Sequence, residues 1–430
     1  MRKMSKQLLA LATVALMIFA GTAQGDVLNV GSGESIQAAI DLAVNGDIIN
    51  IAVGTYAENL VINSAGSMAI TLVGAGNGSD PASNTIIQGV SANSDAIHIV
   101  HGGTAVGQRV LLSNLRVTGG QGAGNLGMGV EIGGSGDASH ITFDNVASVG
   151  NEGEGIGLNH VGPADDILVT QSLLADNGAG GFRVPSSLAS LGTLTIAQTT
   201  IENNSGIGLI AYTPGTISVS DSTFSGNASG LHTGGDLVMT GFVDGNLTLD
   251  NVSFTSDNAD VAIRVSGSHD GGSPRMPISD ATISMTDVTI SGTQTANGTY
   301  PSAAIVISRL KDLTPSEITF DNVAINSTAD CGLFLGTITD STMDLNQQVA
   351  FDGTFSQYAI ELGQHGNSSS YAWATIDVDA LGCGLTEDDV WDFDDYSVLG
   401  DVLVVPEPSS LVLWGMGALG LLFWRRRRST

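Results

Sequence analysis

From about residue 111 onward the chain repeats one short alternation of apolar and polar positions. In LTIAQTTIENNSGIGLIA (194–211), Leu194 and Ile196 alternate with polar residues, and a polar pair follows. Ile201 resumes the alternation, and an Asn-containing turn then leads to Gly and an apolar-x-apolar triplet. The grammar recurs in ITFDNVASVGNEGEGIGL (141–158), ILVTQSLLADNGAGGFRV (167–184), ISVSDSTFSGNASGLHT (217–233), LTLDNVSFTSDNADVAIRV (247–265), ISMTDVTISGT (283–293) and ITFDNVAINSTADCGLFLG (318–336). Units begin at 141, 167, 194, 217, 247, 283, 318 and 343, a spacing of 23 to 36 residues. A period of two over so few residues, punctuated by Gly, Asn and Asp, predicts short strands. The gaps leave no room for helical crossovers, which excludes doubly wound and barrel α/β folds. The pattern predicts a solenoid with about three strands per turn, its coils stacked about 4.8 Å apart over an inward Ile/Leu/Val core. Asn151, Asn177, Asn204 and Asn227 recur at one turn position. Asn tolerates left-handed backbone and can stack its amides into a ladder.

The region before the repeats carries a different period. Ile36, Ala39, Ile40, Ala43 and Val44 share one helical face, and Asn45-Gly46 ends it. Ile49, Ile51 and Val53 then alternate as a strand. An amphipathic helix here would cover the open end of a solenoid. Ser35-Ile36-Gln37-Ala38-Ala39-Ile40, Gly46-Asp47 and Gly54-Thr55-Tyr56-x-Glu58 resemble the N-terminal cap and first coil of the pectin-lyase-like superfamily. The resemblance spans roughly residues 26–370 and implies an all-β, right-handed parallel β-helix solenoid with an N-terminal capping helix. It is silent on activity, because that superfamily includes lyases, hydrolases, esterases, epimerases and binding proteins.

The apolar-x-apolar triplets align from coil to coil, so their middle residues should form one solvent-facing stripe. In order these are Glu131, Gly157, Arg183, Gly208, His232, Arg264, Val306, Phe334 and Glu361. Glu131, Arg183, His232 and Arg264 are the candidate binding residues. Arg183 and Arg264 lie three coils apart, roughly 14 Å, a span suited to alternate sugars of an anionic polymer.

No catalytic signature accompanies the stripe. Gly54-Thr55-Tyr56-Ala57-Glu58 resembles the first block of pectin methylesterases, but their later blocks are absent, so the segment reads as fold. Asp165-Asp166 lies in a turn, VGPADD, and adjacent strand residues point to opposite faces, so it reads as a solvated turn rather than an acid/base pair. His101-Gly102-Gly103 lacks the context of a polygalacturonase histidine, and Arg183-Val184-Pro185 lacks the second arginine of pectate lyases. His98 and His101 would face opposite sides of a strand. Asp377-x-Asp379 departs from a calcium loop, because Leu381 stands where an oxygen ligand is needed. No resident cofactor or specific metal site is expected. Loosely held Ca²⁺ on the acidic run 386–401 is the one cation expectation, beside that run's reading as an end cap or spacer.

Composition narrows the partners. The chain has 430 residues and a formal charge of −29, with 14 basic residues. Residues 26–404 hold seven of these against 42 of the 43 acidic ones, a net charge of −35. Such a body repels nucleic acid and anionic membranes. Cys331 and Cys383 are the two cysteines, and an exported chain allows either a disulfide between them or two thiols.

Both ends read as addresses. Arg2, Lys3 and Lys6 precede an apolar run, Leu8 to Ala20, and small residues follow, the pattern of a secretory signal. At the other end, Pro406-Glu407-Pro408, an apolar segment 411–424 and Arg425, Arg426, Arg427 and Arg428 occur in order. This resembles the PEP-CTERM sorting signal handled by exosortase-type membrane enzymes. The resemblance implies a transient single transmembrane helix, cleavage near Pro408 and delivery to the cell surface or extracellular matrix. About 16 mostly apolar residues are short for a bilayer core of about 30 Å, and the arginines beside them should stay cytoplasmic. The expected organisation is a signal peptide at 1–25, cap and first coils at 26–110, repeats at 111–382, an acidic cap or spacer at 383–404 and the sorting signal at 405–430. The expected function is a non-catalytic exported protein that binds or organises polysaccharide. The other reading is a secreted polysaccharide-degrading lyase or glycoside hydrolase.

Overall fold

The computed structural model describes residues 25–363 with short interruptions (64, 123–125, 161, 213–214, 229–234, 241–244, 258, 267–281, 296–301, 309–317, 337–340 and 346–348) and, beyond them, 376–379, 383, 385, 390–391 and 402–403. The expected signal peptide, but for Gly25, lies outside the described residues. Nearly every described strand belongs to one 34-stranded sheet, and its ladders are parallel. The sheet winds into a parallel β-helix of three stacked ladders. The first ladder includes Asp47–Ile51, Ile70–Val73, Ile167–Thr170, Thr193–Ala197, Thr216–Ser220, Asn246–Asp250 and Thr282–Thr286. Leu173–Ala175, Thr200–Glu202, Thr223–Ser225 and Ser253–Thr255 lie in the second. Ile97–Ile99, Val130–Gly134, Ile156–His160, Phe182–Val184 and Leu209–Ala211 lie in the third.

The bend between first and second ladders is a single residue. Asn114, Asn145, Gln171, Gln198, Asp221, Asn251, Asp287 and Asn322 occupy it, all with φ between 47° and 56°. Asn and Asp tolerate that left-handed backbone better than most residues do. They also stack: Asn145 Nδ2 donates to Asn114 Oδ1 at 2.7 Å, and Asn251 Nδ2 to Asp221 Oδ1 at 2.7 Å. Val110–Thr118 and Ile141–Val149 pass through this bend and so serve both ladders.

The second turn holds the expected asparagine ladder. Asn151 Nδ2 donates to Asn177 Oδ1 (2.9 Å), Asn177 Nδ2 to Asn204 Oδ1 (2.9 Å) and Asn204 Nδ2 to Asn227 Oδ1 (2.8 Å). Asn227 Nδ2 closes the series on Asp236 Oδ1 at 2.7 Å. The left-handed residue, however, is the one before each rung: Gly150, Asp176, Asn203 and Gly226. The four rungs themselves are buried.

The cap forms as a helix at Ile36–Leu42, with Ile36 and Ile40 buried on the end of the core. Ser35 Oγ accepts from the Ala38 amide at 3.1 Å. Glu58 Oε1 accepts from the Ile36 amide at 2.7 Å, and Oε2 from Ser35 Oγ at 2.9 Å. The Gly-Thr-Tyr-x-Glu block thus clamps the helix, which is why it marks the fold rather than a reaction. The helix stops at Leu42, short of the apolar periodicity, where Asp47 Oδ2 draws the Val44 amide into a turn at 2.9 Å. Late in the chain, Val390–Trp391 pairs with Ile360 and Glu361, and Val402–Leu403 with Val378 and Asp379. The described parts of 383–404 therefore include strands that extend the solenoid.

Candidate functional site

Strand register sets the outward stripe of the third ladder. One column runs Val61, His98, Glu131, Gly157, Arg183, Ile210, Val238, Arg264, Val306, Phe334 and Glu361. Glu131, Arg183 and Arg264 share it, and Arg183 and Arg264 are three coils apart. Two positions differ from the sequence expectation. Ile210 rather than Gly208 pairs with Arg183. Val238 occupies the place expected for His232, and His232 itself lies outside the described residues. The triplet IGL at 207–209 mimics IGL at 156–158, but the Phe182 amide donates to Gly208 O as the Ile156 amide does to Gly181 O. Gly208 thus corresponds to Gly181, one step before the strand. His98, which the triplet alignment omits, heads the polar part of the column.

The stripe is also less open than alternation implies. Arg264 is 5% exposed and stands 3.3 Å from Asp260 Oδ2, which is buried with it. Val306 and Phe334 pack with Val261, Ala303 and Cys331 into a second small apolar cluster. Toward the C-terminus the outward face is therefore a covered layer, and Arg264 is not presented to a polymer. No disulfide joins Cys331 and Cys383 in this structure, and burial pushes the Cys331 thiol well up, toward the unreactive protonated form.

The N-terminal half remains partly open. His98 Nδ1 lies 3.3 Å from Glu131 Oε2, and Asn159 Nδ2 donates to Glu131 Oε1 at 2.7 Å. Arg183 Nη1 reaches Glu154 Oε1 at 3.5 Å. The side chains of His98 and Arg183 are 37% and 24% exposed, those of Glu131 and Glu154 8% and 9%. Two partly accessible bases thus roof two buried acids. Asp95 is buried beside them, its Oδ1 holding the Met128 amide at 2.7 Å. Burial first, then hydrogen-bond contact with the Glu131 carboxyl, pushes the Asp95 pKa up to about 7. Burial also raises Glu154, against the Arg183 charge, and lowers His98. Among the described residues no group of three or more His, Cys, Asp or Glu is placed to hold a metal ion. Most of the acidic run considered for Ca²⁺ lies outside them.

Asp165 and Asp166 are more than a solvated turn. Asp165 Oδ1 accepts from the Thr193 amide at 2.6 Å, while Asp166 meets Arg109 and, at 2.8 Å, His140 Nδ1. They tie neighbouring coils together on the first ladder.

A PEP-CTERM protein-sorting motif matches residues 404–428, which lie outside the described residues. Among the described residues no helix is long and apolar enough to cross a membrane. The catalytic domain of a GH87 alpha-1,3-glucanase variant, solved with tetrasaccharides, shares the fold at a TM-score of 0.55 and 12% identity, over 90% of this chain and 67% of that one. Pectate lyase Pel9A aligns at a TM-score of 0.39 and 16% identity, over 71% and 80%. A GH87 alpha-1,3-glucanase catalytic unit from Streptomyces thermodiastaticus aligns at 0.47 and 16%, over 87% and 70%. No curated protein sequence matches the chain. At these identities the likeness is one of fold. The chain is a parallel β-helix that carries a PEP-CTERM sorting motif, and the motif implies an exported protein.

Proposed function

We propose that the chain is a cell-surface or extracellular-matrix protein that binds neutral polysaccharide along the N-terminal half of its third ladder, without cleaving it. Secretion machinery would export it, and an exosortase-type enzyme would release it from a transient membrane helix by cutting near Pro408. The observation that carries the binding reading is the half-open polar row of His98, Glu131, Asn159 and Arg183, held by contacts at 3.3, 2.7 and 3.5 Å. Such a row offers acceptors and donors to sugar hydroxyls with little reorganisation. Burial of Arg264 and pairing of Arg183 with Glu154 argue against the anionic polymer expected from the sequence.

One observation favours hydrolysis as a second reading: Asp95 keeps its proton up to about pH 7 beside Glu131. Yet both carboxylate oxygens of Glu131 are already engaged, by His98 at 3.3 Å and by Asn159 at 2.7 Å. A Glu131 held in this way suits a positioned acceptor better than a nucleophile or a base, so binding is the better account.

Affinity electrophoresis against neutral and acidic polysaccharides tests this. Glu131→Gln with Arg183→Ala should weaken retention by neutral glycan about tenfold or more, equivalent to about 1.4 kcal/mol of lost hydrogen bonding. Unchanged retention would sink the reading. New reducing ends or unsaturated uronates would replace it with the enzymatic one.

A further inference from the structure

On the first ladder, an open groove of about 560 Å³ is lined by residues that include Val106, Leu111, Leu168, Asp144, Thr170 and Gln171. The volume lies within the range of small-molecule sites. Its floor is one outward column, Thr71, Leu111, Thr142 and Leu168, with one residue from each of four coils. In later coils the same column reads Thr195, Ser218, Thr248, Ser284 and Thr319. From Thr195 onward a hydroxyl is the rule on this face, whereas the earlier coils also carry apolar residues, Val27 and Ile48 before the groove and Leu111 and Leu168 within it. Leu111 and Leu168 are part-exposed apolar side chains at outward positions.

A wall rises on one side. Residues 103–108 form a tight turn, in which the Thr104 amide donates to Gln108 O at 2.9 Å and Thr104 Oγ1 donates to Gln108 Oε1 at 2.6 Å. It carries Val106, 69% exposed, beside the floor. Asp144, Thr170 and Gln171 supply polar groups to the lining.

The charge of the groove decides its ligand. Arg109 lies against the Asp166 carboxylate and donates through Nη2 to the carbonyls of Asp166 (2.6 Å) and Ile141 (3.1 Å). Its Nε donates to Thr142 Oγ1 at 2.6 Å. The guanidinium is thereby committed to the protein, whereas Asp144 adds a carboxylate to the lining. An anionic ligand is disfavoured. A lipid tail would cover Asp144 and Gln171 without giving them hydrogen bonds.

We propose that this groove is a second carbohydrate site, which takes a short neutral oligosaccharide. The C–H face of a pyranose ring covers Leu111 and Leu168 beside Val106. Ring hydroxyls donate to Asp144 and exchange hydrogen bonds with Thr170 and Gln171. Four coils span roughly 14 Å, room for more than one ring. The site lies on a different ladder from the His98–Arg183 row and stands independently of that reading.

The test is methyl NMR on the full chain, labelled at Leu and Val and titrated with cellotetraose, laminaritetraose and maltotetraose, with trigalacturonate as the anionic comparison. At least one neutral tetrasaccharide should shift the methyls of Leu111, Leu168 and Val106 saturably. Leu168→Glu should weaken that response at least tenfold, while Glu131→Gln leaves it unchanged. Val106→Ala, at an exposed turn position where the side chain adds nothing to the core, should weaken it as well. The proposal is overturned if no neutral sugar shifts these methyls, if both groove variants leave the response intact, or if trigalacturonate binds better. Loss of glycan retention in Glu131→Gln with the groove response retained concerns the third ladder alone and upholds the groove as a separate site.

Discussion

Glu131 is held between His98 of the preceding coil and Asn159 of the following one, at 3.3 Å and 2.7 Å from its two carboxylate oxygens. Asp95 keeps its proton up to about pH 7, through burial first and the Glu131 carboxyl second. Replacing Glu131 by Gln removes a neighbouring negative charge but leaves the burial of Asp95 in place. The Asp95 titration, followed by carboxyl ¹³C NMR, should therefore move to lower pH yet stay above the ordinary aspartate range, because burial is the larger cause. A midpoint still near 7 would show that Glu131 contributes nothing.

The asparagine ladder should be a sensitive part of the solenoid. Asn177 Oδ1 accepts from both the backbone and the side chain of Asn151, at 3.1 and 2.9 Å, and its Nδ2 donates to Asn204 Oδ1 and Ser148 O. Asn177→Ala strands these groups in a fully buried site. At about 1–3 kcal/mol for each stranded polar group, the loss should reach about 3 kcal/mol. Chemical denaturation measures it, and hydrogen exchange should quicken first around residues 148–181.

Where the spacing holds, the site was legible. Asn151, Asn177 and Asn204 each stand four residues before Gly155, Gly181 and Gly208, so a count from the asparagine gives the strand register directly. The count fails after Asn227, because Asp236 stands nine residues on and takes the corresponding place. The Gly-Leu-His-Thr run at 230–233 falls inside that longer connection, and its likeness to a strand opening is what brought His232 into the stripe. Burial of Arg264 was not legible at all. Alternation tells which face a residue takes, but only the packing of Val306, Phe334 and their neighbours tells that this face is covered.

The single-residue bend offers a stabilising substitution. Gln198 sits there at φ 51° between Gln171 and Asp221, and Asn is better suited to left-handed backbone than Gln. An Asn could also donate to Asp221, as Asn251 does at 2.7 Å from the other side. Gln198→Asn should raise stability by about 0.5–1 kcal/mol, read from the denaturant midpoint at constant slope. A lower midpoint would mean that the longer Gln side chain makes the better bend.

The sorting motif predicts a mass. Intact mass spectrometry of the mature surface form should place its C-terminus before Arg425, near Pro408. Retention of Arg425–Arg428 would contradict release from the membrane, and Glu407→Ala should slow the conversion of the longer form into the shorter one.

Asp236 ends the asparagine ladder, and burial pushes its pKa from 3.8 up to about 7. Between those values the folded chain keeps a proton that the unfolded chain releases. The stability this contributes is fully present below about pH 3.8 and is lost as pH rises through about 7. Asp95 and Glu361, both raised to about 7, act in the same direction. Thermal stability should therefore be higher at pH 5 than at pH 7.5. General repulsion in an acidic chain would give the same trend, so the variant decides. Asp236→Asn keeps an oxygen to accept from Asn227 Nδ2, the contact now made at 2.7 Å, and removes the titration. It should raise the melting temperature by a few degrees more at pH 7.5 than at pH 5, the effect of about 1 kcal/mol or more. An equal shift at both pH values would show that folding does not raise the Asp236 pKa.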